Sequence, residues 1–125
     1  MGLFEAPAHS TIAVKDIDKA REFYEETLGF TPDSVGPAGV FYPAGGNTRF
    51  FVYPSGEAGT NRATYIGFAV ADIEAEVRDI KGRGVSFEHY EGYTNADGIA
   101  ETGPVRSAWF KDPDGNIIGV VQLAE

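Results

Sequence analysis

Residues 9–30 read HSTIAVKDIDKAREFYEETLGF, a strand pattern followed at once by a helix pattern. The run 9–14 is rich in apolar and β-branched residues, which predicts a strand. Asp16 follows it, and a carboxylate at this point can accept hydrogen bonds from the first free amides of a helix. Apolar side chains then recur every three or four residues over 17–28, so the helix has one apolar face. Gly29 tolerates a left-handed backbone and marks the end of the helix.

The same plan returns in the second half of the chain. Residues 65–70 repeat the apolar strand, and Asp72 lies 56 residues after Asp16. Residues 73–80 carry the helical spacing, and Gly84 marks the helix end. A repeat of this length in a chain of 125 residues indicates two modules with one supersecondary plan.

Short strands separated by turns fill the rest of each half. We expect strands at 30–31, 39–42 and 48–53 in the first half, and at 85–87, 107–111 and 116–123 in the second. The last two are joined by DPDG at 112–115, a strong hairpin signal that we interpret as structural despite its two carboxylates. Residues 54–62 are rich in glycine and polar residues and predict a linker. Residues 90–104 show no clear periodicity and predict a long loop, either a lid or a solvent loop.

Strand, helix and three strands, given twice, predict an α+β fold. The two βαβββ modules would cover about residues 6–55 and 62–125 of one domain, 1–125. Each module would form a curved sheet with one face under its helix. The remaining faces would form a curved mixed sheet around a cup, so a pocket follows from the architecture itself.

The composition limits the possible partners. The chain has 19 Asp and Glu against 10 Lys and Arg, a net charge of −9, which argues against nucleic acids and anionic membrane surfaces. It has no cysteine, which excludes disulfides, thiol nucleophiles and Cys-bound zinc. The first ten residues lack the pattern of a signal peptide, and no apolar run approaches the roughly 20 residues that span a bilayer. We therefore expect a cytoplasmic protein.

Two segments resemble a known family. Residues 9–30 are similar to the opening of a vicinal oxygen chelate domain, the superfamily of glyoxalases, bleomycin resistance proteins and extradiol dioxygenases. Residues 109–119, WFKDPDGNIIG, are similar to its closing hairpin. The resemblance covers nearly the whole chain and implies the paired βαβββ fold. It is unspecific for activity, because this fold hosts unrelated functions.

The resemblance also implies where a metal would bind. Family members with metal chemistry usually hold a divalent ion through His, Glu, His and Glu. Carried over, these positions are His9, a residue near Phe51, Tyr65 and Gly119. Only His9 keeps a family ligand, whereas a divalent metal needs about three protein ligands. We expect no metal site and no other cofactor, with a divalent metal on an altered ligand set as the alternative.

The candidate site follows from the same positions. His9 is a pocket base, a ligand contact or a hydrogen-bonded strand residue. Tyr65 either donates a hydrogen bond to a ligand or fills space, and Gly119 either leaves room for a ligand or permits a bulge in the last strand. The aromatic residues of the strands either line a wall for a flat ligand or belong to the core. These are Phe51, Tyr53 and Trp109.

Two functions stay open. Resistance members of the family resemble this chain in size and in lacking metal ligands, which implies a homodimer that sequesters an aromatic, often cationic, antibiotic. An acidic protein would attract such a cation. The alternative is a glyoxalase-like lyase, isomerase or dioxygenase that uses an altered metal site or His9 as general base. The expected partners are a small aromatic or cationic molecule and a second copy of the chain.

Overall fold

The computed structural model describes residues 2–123. Within them, the elements follow the predicted order of strand, helix and three strands, twice. In chain order they are a 3-10 turn at Leu3–Glu5, β1 (Ser10–Val14), α1 (Ile17–Arg21), β2 (Ser34–Gly36), β3 (Gly39–Pro43), β4 (Arg49–Pro54), β5 (Thr64–Ala69), α2 (Ile73–Gly82), β6 (Ala100–Thr102), β7 (Val105–Lys111) and β8 (Ile117–Gln122).

The helix ends confirm the predicted caps. The Asp16 carboxylate accepts two first-turn amide N–H groups at 3.0 and 3.3 Å, and the Asp72 carboxylate accepts one at 3.2 Å. The first helix continues beyond α1 as wider π-helical turns over Glu22–Thr27. Gly29 and Gly84 both have a φ of 89°, the left-handed conformation that glycine adopts without strain.

The strands form two four-stranded sheets of identical order, β1-β4-β3-β2 and β5-β8-β7-β6. In each sheet the first strand of the module pairs in parallel with the last, and the other neighbours pair antiparallel. β1 and β5 lie beside each other where the two sheets meet. The topology confirms the α+β fold and its two βαβββ modules.

One face of each sheet lies under a helix. α1 packs on β4, and α2 packs on β7 and β8. The side chains of these faces join the helices in one buried apolar core, and each fully buried large side chain contributes about 1.5–3 kcal/mol. The first sheet contributes Ile12, Val14, Val40, Tyr42, Phe50 and Val52 to this core, and the second contributes Ala108, Phe110, Ile118 and Val120.

Two buried side chains at the ends of the turn between β7 and β8 link the two modules. The carboxylate of Asp112, which is 4% exposed, accepts the Tyr24 O–H at 2.8 Å and the Asn116 side-chain N–H at 2.8 Å. Asn116 also donates to the carbonyl oxygen of Ala13 at 2.7 Å. Because Tyr24 and Ala13 belong to the first module, the turn is structural, as predicted. Burial raises the pKa of Asp112, although the hydrogen bonds from Asn116 and Tyr24 oppose this shift.

Two of the short predicted strands are wrong. At 30–31 the backbone N–H of Phe30 donates to the carbonyl of Tyr24 at the end of the helix. Pro32 follows, and it has no N–H to donate to a neighbouring strand. At 85–87 only an isolated bridge forms, between Phe87 and Phe110. The strands that fill these places are β2 and β6, which pair with β3 and β7. The predicted loop at 90–104 therefore contains β6.

No helix within residues 2–123 combines the length and the apolar character needed to cross a bilayer.

The buried turn gives a test of stability. Tyr24→Phe keeps the ring in the core and removes only the O–H that Asp112 accepts. We expect the free energy of unfolding at pH 7 to fall by about 1–2 kcal/mol, because a buried carboxylate loses a donor. The Tyr24 hydrogen bond lowers the pKa of Asp112, so its contribution is present while Asp112 is ionised and is lost as the pH falls through that pKa. Denaturant unfolding at several pH values measures both effects.

Tyr93→Phe is the matched control, since the Tyr93 hydroxyl makes an exposed hydrogen bond to Thr102 at 2.9 Å. It should change the free energy of unfolding by less than about 0.5 kcal/mol. Equal losses in the two variants, or a Tyr24→Phe loss that does not shrink on acidification, would contradict the role given to the Asp112 turn.

Candidate ligand-binding face

The second face of each sheet is the candidate site. Side chains of a strand alternate between its two faces, so the residues between the buried ones point away from α1 and α2. We name this surface the open face. On the first sheet it carries Thr11, Ala13, Phe41, Arg49, Phe51 and Tyr53, and on the second Gly67, Ser107, Trp109, Lys111, Gly119 and Val121.

Three of the predicted site residues lie in one aromatic group on the first sheet. The ring centroids of Phe41 and Phe51 are 4.5 Å apart, and those of Phe51 and Tyr53 are 6.0 Å apart with planes within 9°. His9, which directly precedes β1, lies with its ring centroid 5.3 Å from that of Phe41. The Arg49 guanidinium carbon lies 4.0 Å from the Phe41 ring centre. We call these five residues the Phe41 group.

Two further predicted residues lie together on the second sheet. The Trp109 ring stacks on Tyr93 at 5.9 Å and 22°, and meets Tyr90 edge-on at 5.7 Å. A Cβ atom added to Gly119 would lie 3.5 and 3.6 Å from Cδ1 and Nε1 of Trp109, and 3.2 Å from the methyl group of Thr64. The indole therefore lies within van der Waals distance of β8 at Gly119, and an added Cβ atom would be tight only against Thr64. We call Trp109, Tyr90, Tyr93 and Gly119 the Trp109 group.

Tyr65 lies at an irregularity of β5. The ladder pairs Thr64 with Ile117 and then Ile66 with Ile118, so Tyr65 is an extra residue. The sequence allowed a bulge at Gly119 in the last strand, but β8 pairs with β7 without a break. The bulge lies instead in β5, at Tyr65. Tyr65 is half-buried, and its ring contacts no aromatic ring of the described residues.

The two aromatic groups occupy equivalent positions of the repeated plan. The register neighbours across three strands are Thr11, Phe51 and Phe41 in the first sheet and Gly67, Gly119 and Trp109 in the second. The register thus shows that Phe51 is equivalent to Gly119. The sequence alone placed this first-module position only near Phe51. No ring contact joins the Phe41 group to the Trp109 group within residues 2–123.

Polar groups on and beside the open face are available to a ligand. Each lacks a hydrogen bond to any other residue that the structure describes, and groups of this kind give a pocket its orientation and specificity. They are the imidazole of His9, the hydroxyls of Thr11, Tyr53, Tyr65 and Ser107, and the indole N–H of Trp109.

His9 has the accessibility of a ligand contact but lacks an orienting partner. It is exposed, and its neighbour is the Phe41 ring. A general base is usually held by a second hydrogen-bonded group, and no described residue bonds to this imidazole. Its catalytic role stays a prediction.

The residues at the family's ligand positions do not fit a divalent metal. Phe51 and Gly119 offer no side-chain donor, and Tyr65 offers a phenol. Only His9 provides a usual ligand, against the roughly three that a divalent ion needs. Within residues 2–123, no three His, Cys, Asp or Glu side chains lie close enough together to hold a metal ion.

The open face is less acidic than the protein as a whole. Its strand positions carry Arg49 and Lys111 but no Asp or Glu in the described strands. Carboxylates reach it from the rim, where Asp33 lies 3.2 Å from Arg49 and Glu88 lies 3.4 Å from Lys111. The excess negative charge is therefore carried by the helices and loops.

Several cavities lie on the helical side instead, and two of them differ in the character of their lining. One of about 640 Å³ is lined mainly by charged residues and open to solvent, and includes Lys19, Glu22 and Glu26. The other, of about 230 Å³, is apolar and lies between the helices at Phe68 and Ile80. Neither is lined by a predicted site residue. We favour the open face, because it presents aromatic rings and unused donors of the kind that line ligand pockets, whereas the larger cavity is an open groove lined mainly by charged residues.

Sequence reasoning missed part of both groups. Phe41 and Arg49 lie in or beside strands that were predicted, and strand alternation from Phe51 would have placed both on the open face. Tyr90 and Tyr93 lie in a loop without periodicity, so no pattern assigned them to Trp109.

The family model for the Glyoxalase/Bleomycin resistance protein/Dioxygenase superfamily matches residues 6–120. The chain is 29% identical over 135 residues to the uncharacterized protein YurT of Bacillus subtilis (strain 168), covering 90% of this chain and 95% of that protein.

Solved structures of similar fold cover the chain almost completely. TnmS3, an antibiotic binding protein from Streptomyces sp. CB03234, is 28% identical with a TM-score of 0.67, covering 96% of this chain and 98% of TnmS3. A glyoxalase/bleomycin resistance protein/dioxygenase from Alicyclobacillus acidocaldarius has a TM-score of 0.74 at 17% identity, covering 100% of this chain and 96% of that one. The repeated sheets and the family match lead to one conclusion: this chain belongs to the Glyoxalase/Bleomycin resistance protein/Dioxygenase superfamily.

Proposed function

We propose that this protein binds a flat aromatic small molecule on its open face without relying on the family's metal. Support comes from the Phe41 and Trp109 groups, which present half-buried and exposed rings beside polar groups that no described residue uses. Aromatic side chains on a pocket wall favour planar ligands through offset stacking, worth about 0.5–1.5 kcal/mol per pair beyond burial.

One observation carries the proposal. At the equivalent positions 51 and 119, where metal-dependent relatives would have a ligand, this chain has a phenylalanine in an aromatic stack and a glycine beside an indole. At both positions a side chain that could bind a metal is replaced by an apolar residue. A face altered in this way is better suited to a ring than to an ion.

The likeness to TnmS3 supports binding rather than turnover. That protein is described as an antibiotic binding protein, and its 28% identity extends over nearly the whole chain. We extend the proposal to a cytoplasmic homodimer that sequesters its ligand. Light scattering of the purified protein, with and without ligand, measures the state of association.

Ligand charge can be tested separately from ligand shape. The net charge of −9 favours a cation at long range, whereas the open-face positions of the described strands carry Arg49 and Lys111 and no carboxylate. Proflavine and anthraquinone sulfonate are flat three-ring dyes of opposite charge. Trp109 is the only tryptophan, so quenching of its fluorescence reports on binding at the site itself. Tighter binding of proflavine at low salt would favour the cationic ligand, and tighter binding of anthraquinone sulfonate an anionic one.

The second candidate is an enzyme, and the exposed imidazole of His9 favours it. Such an enzyme would use His9 as general base or hold a metal through an altered ligand set. Metal analysis of freshly purified protein separates the candidates. Near-stoichiometric divalent metal, removed with loss of turnover by a chelator, would establish the enzyme and contradict the proposed binder.

Phe51→Leu tests the aromatic wall. The substitution removes a ring that stacks on Phe41 and Tyr53, so we expect the affinity for the better-bound dye to fall about tenfold. Phe4→Leu is the matched control, because Phe4 is 90% exposed and lies outside both aromatic groups. Equal affinities of Phe51→Leu and the parent protein would place the dye elsewhere.

His9→Ala tests the predicted site residue. Because His9 is exposed and its neighbour is one ring edge, we expect the free energy of unfolding to change by less than about 0.5 kcal/mol. Dye affinity or activity should fall at the same time. A variant that unfolds would show instead that His9 is structural, and the site would have to be moved.

A further inference from the structure

The apolar cavity of about 230 Å³ on the helical side lies between the end of the first helix and α2, and both modules contribute to its wall. The two helices cover the apolar faces of the sheets only in part at this point. The side chains of the wall therefore pack against the core on one side and stay open to the cavity on the other. The half-buried members of the wall are Leu28, Phe30, Phe68, Val70 and Ile80.

The charged residues at this cavity leave one carboxylate without a partner. Asp79 lies 3.1 Å from the Arg83 guanidinium, which also donates to the backbone carbonyl of Thr27 at 3.3 Å. Glu76 makes no hydrogen bond or ion pair with any residue that the structure describes. Two carboxylates and one guanidinium give the lining a formal charge of −1. The cavity is therefore complementary to an apolar body with a positive charge.

The ends of both helices add negative potential at the same place. Leu28 is the C-terminal cap of the first helix and Arg83 is that of α2, and both line the cavity. The C-terminal end of a helix carries a partial negative charge and favours cations. The contact of Arg83 with the Thr27 carbonyl is one such pairing, and Glu76 is available for a second cation.

We propose that this cavity is a second ligand site, which takes a compact apolar molecule with one positive charge, such as a single ring on a short alkylamine. Pockets for drug-sized ligands measure about 300–1,000 Å³, so the smaller volume here suits one ring and a short chain. The wall buries the ring, and Glu76 pairs with the ammonium group. The site is separate from the open face and does not rest on the proposed function.

Three probes that share one ring and differ in charge test the site. They are cyclohexylethylamine, cyclohexylethanol and cyclohexylpropanoate. Their ring is aliphatic and puckered, so stacking on the aromatic groups of the open face contributes little. An NMR titration of isotope-labelled protein at low salt gives both the affinity and the location of each probe. The indole N–H of Trp109 reports on the open face in the same spectra.

We expect amide resonances of Leu28, Phe68 and Ile80 to shift on titration, and the indole resonance of Trp109 to stay in place. The amine should bind about fivefold tighter than the alcohol, which is the most that an exposed ion pair usually adds. The propanoate should bind least tightly, because its carboxylate meets a cavity of the same charge.

Glu76→Gln tests the charge at the cavity. The substitution should abolish the advantage of the amine and leave the affinity for the alcohol unchanged. Glu22→Gln is the matched control, because Glu22 is also an exposed helical glutamate without an ion pair to any described residue, and it does not line this cavity. Since both variants change the net charge equally, only a local contact distinguishes them.

Val70→Phe tests the space inside the cavity. The larger side chain should occupy the wall and weaken all three probes at least about tenfold. Val35→Phe is the matched control, since Val35 is 56% exposed on β2 and lies outside the cavity. It should bind the probes as the parent protein does.

Several results would overturn the inference. They are shifts confined to the open face, an amine that binds no tighter than the alcohol, an amine advantage that survives Glu76→Gln, and unchanged affinities in a folded Val70→Phe. Absence of binding by any probe would overturn it as well. If Val70→Phe does not fold, the probe series and Glu76→Gln still decide. The proposed function is tested with flat dyes at the open face, so it stands or fails independently.

Discussion

Side-chain alternation under a helix is the constraint on which this structure depends. In each sheet every second side chain must enter the core beneath α1 or α2, so its neighbours in the strand must point away from that core. The residues of the open face are therefore free of the demands of core packing. Their identity can vary between members of a superfamily without loss of the fold, which explains how one architecture supports unrelated chemistry.

The open faces of the two modules carry different kinds of residue. The row through β4 in the first sheet is filled by rings, whereas the equivalent row through β8 in the second has two glycines beside an indole. The buried Asp112 turn fixes how these rows lie relative to each other, because its hydrogen bonds cross from the second module to the first. A stability determinant and a candidate recognition surface are thus separate parts of the same hairpin.

The sequence predicted most of the fold because its signals are local. Asp16 and Asp72 cap helices through their own first turns, and the DPDG turn closes a hairpin within its own segment. The short edge strands β2 and β6 were missed, because each of them is defined by its neighbour in the sheet and not by its own three residues. Composition alone could not tell Phe30, a core residue that ends a helix, from a strand residue.

For the candidate site, alternation placed Phe51, Tyr53, Trp109 and Gly119 correctly on strands, and their roles in binding stay predictions. The contact of Tyr93 with Trp109 could not be predicted, since it joins an aperiodic loop to a distant strand.

The most direct test is a crystal structure of the protein with anthraquinone sulfonate. We predict the ring system on the open face, with one edge within about 4 Å of Trp109. A dye seated between the helices at Phe68 and Ile80, with the open face free, would contradict the assignment of the open face as the ligand site.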